Sequence, residues 1–402
     1  MVKKYLQHYA EPEARATLED PPGSAYNYGI VIPAYRESAQ LADRLGRMAR
    51  TQDGLLIILV LNQPDTDNAP DTNVHLREAI AHCTSLSTHS YGTLFQLQDN
   101  NHLLLVERSQ CLPASEGVGL ARKIGCDIAL ALSAKGILKS RWLHTTDADA
   151  TLSHDYFSAA EKLGDYAAIV HPFHHRLAAD PGLACAIYLY ELRLHYYVLG
   201  LEWAGSPYAF HTLGSCISVA AQSYAAVRGF PRRSGGEDFY LLNKVAKLGA
   251  VATDMTPTIE LEGRESSRVP FGTGPAVAKL LASTEPEATP LFYHPHSFRA
   301  LKTLLENLEV LYLNQALVEE ALNEPSAIAV LENLGIEKAL AHCGSHSKNF
   351  EGWRRHFHQW FDGFRTLKFI HGLRDAGLAD MDLAASRAHR HSLWPADWQF
   401  RK

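Results

Sequence analysis

Trp142-Leu143-His144-Thr145-Thr146-Asp147-Ala148-Asp149-Ala150 is the stretch around which this 402-residue chain organises itself. It reads as a short apolar strand ending in two carboxylates with one small residue between them. In extended backbone, residues i and i+2 point to the same face, so Asp147 and Asp149 are expected to aim at one spot. Two carboxylates converging at a strand end suit a hard divalent cation, Mn²⁺ or Mg²⁺, that keeps positions open for substrate phosphates. The competing reading is a solvated turn whose Asp side chains bond local backbone. The surrounding chain decides between them.

Upstream, Tyr28-Gly29-Ile30-Val31-Ile32-Pro33-Ala34-Tyr35-Arg36-Glu37 is a strand that stops in a polar turn. Ala39 to Ala49 follows as an amphipathic helix with Leu41, Leu45 and Met48 on one face. Leu55 to Leu61 is continuously aliphatic, as a parallel strand buried on both faces would be, and exits through Asn62-Gln63-Pro64-Asp65. Strand, helix, strand is a right-handed βαβ unit. A helix around Asn73 to His82, a Ser/Thr-rich connection and a strand Leu103 to Glu107 come next. Gly117-Val118-Gly119-Leu120-Ala121-Arg122-Lys123 then opens a helix, where glycine lets backbone approach a ligand. Open α/β sheets bind ligands at the carboxyl ends of their strands. The exits after Ile32, Leu61 and Thr146 all fall there.

A second acidic group lies in Ser234-Gly235-Gly236-Glu237-Asp238-Phe239. At a helix N-terminus the macrodipole favours ionised carboxylates, which serves either plain capping or a general base. In Glu262-Gly263-Arg264-Glu265-Ser266-Ser267-Arg268, Arg264 and Arg268 are either phosphate clamps or surface ion-pair partners. From about residue 290 the βαβ alternation gives way to helical patterns: 301–320, 328–341 and 353–373. Residues 1–25, ending Pro21-Pro22-Gly23-Ser24, read as a leader or linker. The expected organisation is therefore 1–25 leader, 26–275 catalytic α/β domain and 276–402 helical region.

Bulk properties narrow the class. Hydrophobic residues make up 46% and charged residues 20%, which describes a folded globular chain. A net charge of −6 and a pI near 6.4 exclude a basic nucleic-acid-binding face. Six scattered cysteines fit reduced thiols in a cytosolic protein better than a disulfide framework. No apolar run reaches the roughly 20 residues that a membrane-spanning helix needs. The expected location is cytoplasmic, at most at the inner face of a membrane. Apolar faces on the C-terminal helices would fit either a homodimer contact or a membrane surface.

The ordered motifs Val31-Ile32-Pro33-Ala34-Tyr35-Arg36-Glu37, Gly119-Leu120-Ala121-Arg122-Lys123, Asp147-Ala148-Asp149 and Gly236-Glu237-Asp238 resemble those of family 2 glycosyltransferases of the GT-A fold, a Rossmann-like α/β architecture with a mixed, mostly parallel sheet flanked by helices. The resemblance covers about residues 26–275. It implies transfer of a sugar from a nucleotide-diphosphate donor (a UDP-, GDP- or dTDP-sugar) to an acceptor hydroxyl, with inversion. Pro33, Ala34, Tyr35 and Glu37 would line the nucleoside pocket, with Asn62 or Asp65 at the base and Arg122 and Arg268 near the phosphates. Asp147 would lie against ribose or sugar and share the metal with Asp149. His294, late in the chain, is a further candidate ligand. Asp238, with Glu237, would supply the base. The family's Ala-Arg-Asn is Ala121-Arg122-Lys123 here, which puts an extra positive charge near the expected nucleotide. The alternatives are a sugar-phosphate nucleotidyltransferase, which wants a glycine-rich loop after the first strand, and a catalytically silent nucleotide- or carbohydrate-binding protein.

Overall fold

The computed structural model describes residues 1–67, 72–108, 110–253, 258–263, 272–313, 322 and 324–394. Arg264 and Arg268 lie outside the described residues. The chain divides into two compact units, one formed by residues 1–178 and 212–275, the other by 179–211 and 276–402.

The first unit is mixed α/β. Its strands are β1 (Tyr28–Ala34), β2 (Leu55–Leu61), β3 (Thr84–His89), β4 (Gly92–Gln98), β5 (Asn101–Val106), β6 (Trp142–Thr145), β7 (Ala150–Thr151), β8 (Ala168–Val170), β9 (Phe173–Arg176), β10 (Ile217–Ala220), β11 (Val251–Ala252) and β12 (Ile259–Glu262). Nine form one sheet in the order β11-β8-β10-β6-β1-β2-β5-β4-β3; β7, β12 and β9 form a small second sheet. All seven residues of β2 are buried, as expected for an aliphatic strand flanked on both edges by parallel partners. β10 runs antiparallel between β6 and β8, so the sheet is mixed.

The order fixes where a ligand can sit. From β1 the chain moves outward through β2 to β5, then returns to pair β6 with the other edge of β1. This reversal is a topological switch point, and in open α/β sheets ligands bind beyond the carboxyl ends of the strands that flank it, here β1 and β6.

Residues 1–25, read from composition as a leader or linker, are ordered on the first unit. They form two helices, Val2–His8 and Pro12–Glu19, packed on the helix Gly117–Ala134. Their attachment is polar and buried: Asp127 accepts hydrogen bonds from the Tyr5 and Tyr224 hydroxyls and from the backbone N–H of Glu11, and pairs with Lys123 at 2.8 Å. A polar composition hid helices tied to the core by charges and hydroxyls as well as by the buried Tyr5, Leu6 and Ala14. The Ser/Thr-rich connection also has structure, as β3 and β4 of an antiparallel hairpin with a bulge between Ser85 and Ser87.

The second unit is helical, and it begins earlier than the sequence suggests. Residues 179–211 carry the helix Pro181–Trp203, whose Leu192, Tyr196 and Leu201 share a core with Phe292, Phe298, Trp353 and Phe357. The Phe298 ring occupies the place where a side chain on Gly200 would stand. The stretch read as one helix over 353–373 is two, Phe350–Trp360 and Gly363–Asp375. Asp362 ends the run by capping the second: its carboxylate accepts the Arg365 N–H at 3.1 Å. Among the described residues, no helix is long and apolar enough to cross a membrane.

Candidate active site

The acidic stretch does not continue as a strand past Thr145. Asp147 to Ala150 is a turn closed by the Ala150 N–H on the Asp147 carbonyl at 3.2 Å, after which β7 enters the small sheet. The i, i+2 rule for extended backbone therefore does not apply to Asp147 and Asp149. Other contacts set their positions. Arg44, on the helix Gln40–Arg50, donates to the Ala148 carbonyl and to Glu262 at 3.1 Å, and the Glu262 N–H donates to the Asp149 carbonyl at 3.2 Å.

Arg122 is the hub of the site. It is 2% exposed, and its guanidinium reaches Glu237 Oε1 at 2.9 Å, Thr145 Oγ1 at 2.7 Å and Asp147 Oδ1. Burial works against its charge, but Asp147, Glu237 and Asp238 outweigh that and hold its pKa above the usual arginine value. Gly214 makes room for it, since a side chain there would overlap the guanidinium. The other Asp147 oxygen accepts from the Ser215 hydroxyl, and the Thr146 hydroxyl donates to the Ser215 carbonyl at 2.8 Å.

Glu237 and Asp238 begin the helix Glu237–Val245 after Gly236, whose φ of 69° suits glycine. Glu237 is 4% exposed and committed to Arg122, whereas Asp238 is half-buried. Asp238 accepts the Phe239 N–H at 2.6 Å. Desolvation, then repulsion from Glu237, pushes its pKa up to about 7, against the opposing pull of that N–H and of Arg122. The glycines that open the helix Gly117–Ala134 serve this region. Gly119 donates its N–H to the Arg233 carbonyl at 2.9 Å, and a side chain there would meet the Pro231 and Arg233 carbonyls. Their close backbone partner is the segment leading to Glu237, not a ligand.

At the β1 exit, Pro33 and Ala34 are buried strand residues. The Tyr35 hydroxyl donates to Asp67 at 2.8 Å, and Arg36 pairs with the same carboxylate at 3.1 Å. Arg36 adopts φ 54°, unusual for a non-glycine residue, and its N–H is held by Asn73 Oδ1 at 3.1 Å. Glu37 is half-buried beside this turn. At the β2 exit, Asn62 is 6% exposed and bonds the Ala34 carbonyl through its backbone, while its side-chain Oδ1 has no partner. Asp65 is exposed and accepts the Ala114 N–H at 2.9 Å, bracing a loop. Asn62 Oδ1 is the buried, unsatisfied acceptor at this edge, whereas Asp65 faces solvent.

One expectation changes. Lys123 adds no charge to the site: it is buried against Tyr5 and Asp127 beneath the N-terminal helices. His294 lies in the helical unit, where its Nδ1 accepts the His296 N–H at 3.2 Å as the N-cap of Pro295–Glu306. Three residues that reading the sequence passed over, Arg44, Asp67 and Ser215, hold the turns in place. Asp67 shares the β2 exit with Asp65 and was legible there. Arg44 sits on the polar face of an ordinary amphipathic helix and carried no signal.

Asp147 is a poorer metal ligand than Asp149, because the Arg122 guanidinium on it would repel a cation, although each of its oxygens keeps acceptor capacity. Asp149, half-exposed on the turn, has the oxygen chemistry for Mn²⁺ or Mg²⁺. Among the described residues, no group of three or more His, Cys, Asp or Glu side chains is placed to hold an ion. No protein-family model matches the chain, and no curated protein matches it in sequence.

Proposed function

We propose that the first unit is a GT-A-type glycosyltransferase that moves a sugar from a nucleotide-diphosphate donor to an acceptor hydroxyl with inversion. One observation carries the reading: a carboxyl tuned to near-neutral pKa, Asp238, stands beside an arginine-clamped acidic turn that leaves β6 at the switch point. Asn62 Oδ1, buried and unsatisfied, accepts a base N–H. Tyr35, fixed through Asp67, lines the nucleoside side. Asp147, held by Arg122 and Ser215, orients ribose or sugar hydroxyls as an acceptor.

Asp149 would hold the Mn²⁺ or Mg²⁺ through its carboxylate oxygens. When bound, that ion neutralises charge on the departing diphosphate. Asp238 takes the acceptor's hydroxyl proton as the new bond from oxygen to the anomeric carbon forms. The bond from that carbon to the phosphate oxygen breaks, and the nucleoside diphosphate leaves with the electron pair. Glu237 is a positioning residue that acts through Arg122.

Calorimetric titration with UDP, GDP, CDP and dTDP, each with and without Mn²⁺, tests the reading. Metal-dependent binding of one nucleotide, abolished in Asp149→Asn, supports it and names the donor base. Failure of all four to bind sinks it.

A further inference from the structure

The helix that carries Asp238 is approached through Arg228-Gly229-Phe230-Pro231-Arg232-Arg233-Ser234-Gly235-Gly236, which follows the helix Ala221–Ala226. Two glycines adjoin Glu237, and glycine loses the most conformational freedom when it is fixed. What holds residues 228–234 therefore decides where Asp238 stands. We infer that the N-terminal helices do this, and that Glu11, acting through Arg232, is a positioning residue for Asp238. The inference rests on the reading of Asp238 as the base.

Three contacts tie this approach to residues 1–25. The Arg232 guanidinium donates to Glu11 Oε1 through Nη2 at 2.7 Å and through Nε at 3.0 Å. The Arg228 guanidinium lies 4.4 Å from the centroid of the Tyr9 ring, within cation–π range. A side chain on Gly229, whose φ is 71°, would overlap the Tyr5 hydroxyl. Arg228 itself adopts φ 68°, a sparsely populated conformation for a non-glycine residue that persists only where its surroundings enforce it.

Glu11 is the fixed end of the link. It is 1% exposed, its N–H donates to Asp127 at 2.8 Å, and its Oε2 accepts from Arg108 at 3.0 Å. The Arg232 side chain, by contrast, is 50% exposed. An anion locked in the first unit therefore holds a cation on the surface segment. The Arg108 bond keeps Glu11 paired when Arg232 is replaced, so the link can be cut without leaving a lone buried charge.

The next residue passes the constraint on. The Arg233 carbonyl accepts the Gly119 N–H at 2.9 Å, and its guanidinium lies 4.3 Å from the ring centroid of Tyr240, in the first turn of the Asp238 helix. The Tyr240 N–H closes on the Gly236 carbonyl at 3.1 Å. A base must reach its proton within hydrogen-bond distance, and a displacement of about 1 Å can cost about 10²-fold in rate. The residues assigned to nucleotide and metal, Tyr35, Asn62 and Asp149, follow other strands. Loosening this approach should therefore slow transfer and spare donor binding.

Arg232→Gln and Arg232→Lys in the full chain test the inference. In Arg232→Gln the Gly119 and Tyr240 amides should exchange at least about fivefold faster, with the urea midpoint unmoved. The kcat for the donor that nucleotide titration selects should fall at least about tenfold, with nucleotide affinity unchanged. Arg232→Lys keeps the charge and should recover most of both. Wild-type exchange in Arg232→Gln overturns the inference, and so does faster exchange with kcat unchanged. A lower urea midpoint together with weaker nucleotide affinity also overturns it, because the ion pair then serves stability alone. If the wild type binds none of the nucleotides, the glycosyltransferase reading fails by itself, and the exchange comparison still decides whether Glu11 holds the approach to Asp238.

Discussion

Arg122 and Glu237 stand 115 residues apart in the chain and meet at 2.9 Å inside the first unit, both almost wholly buried. The pair joins the helix that follows β5 to the helix that carries Asp238. Through Arg122 it also reaches Asp147, which follows β6. In the proposed mechanism the two adjacent acids therefore divide the work: Glu237 fixes the arginine, which leaves Asp238 to act as the base.

That division predicts different kinetics for two conservative substitutions. Asp238→Asn keeps the shape and removes the base, so kcat should fall by about 10²–10⁴ with donor affinity unchanged. Glu237→Gln leaves the base in place but loosens Arg122 and Asp147, so donor affinity should weaken as well. Nucleotide titration together with initial rates separates the two patterns. Unchanged turnover in Asp238→Asn would remove the base assignment.

The pH profile follows from the same group. Asp238 must be ionised to accept a proton, and burial with repulsion from Glu237 raises its pKa to about 7. The rate should therefore climb as the pH rises through 7 and level off above it. Removing the Glu237 charge removes one of the causes of the rise, the others being burial and Asp147, so in Glu237→Gln the climb should move to lower pH. A profile flat from pH 5.5 to 8 in the wild type would contradict the assignment.

The sequence carried the central strands well, because β1 and β2 announce themselves by unbroken apolar runs between polar exits. It also singled out the acidic turn and Glu237-Asp238, which the structure links through Arg122. Their geometry was not legible. The spacing of Asp147 and Asp149 suggests a shared strand face, but that rule holds only while the backbone stays extended, and the Ala150 N–H closes a turn instead. Gly117 and Gly119 look like ligand-approach glycines, yet the backbone that comes close belongs to residues 231–234. Long-range ion pairs such as Arg122–Glu237 leave no periodic trace, and neither do the charges that bind residues 1–25 to the core.

Those N-terminal charges make a stability prediction. Asp127 neutralises Lys123 in a buried network with Tyr5, Tyr224 and the Glu11 N–H. Asp127→Ala would take from the buried Lys123 ammonium its nearest carboxylate, leaving Glu11 at 4.0 Å, and should cost about 3 kcal/mol in urea unfolding. Deleting residues 1–25 should also destabilise the first unit, whereas a leader could be removed with no change in the unfolding midpoint.

Acid sensitivity of the first unit should come from a different buried cluster. Ser218 Oγ bonds His144 Nδ1 at 2.7 Å and His171 Nε2 at 2.8 Å, and the opposite nitrogen of each ring is buried without a partner. Desolvation drives both pKa values down, that of His171 to about 3. Unfolded, each histidine titrates near 6.5, so between these values the unfolded chain binds more protons than the native one. Stability should be fully present above pH 6.5 and fall as the pH drops from there towards 3, by up to about 1.4 kcal/mol per pH unit for each histidine. Ser218→Ala leaves both rings without their shared partner and should cost about 1–3 kcal/mol already at neutral pH. Urea denaturation at pH 7.5, 6.0 and 5.0 reads both effects, and a midpoint that does not move across this range would show that the two histidines are not buried as neutral rings.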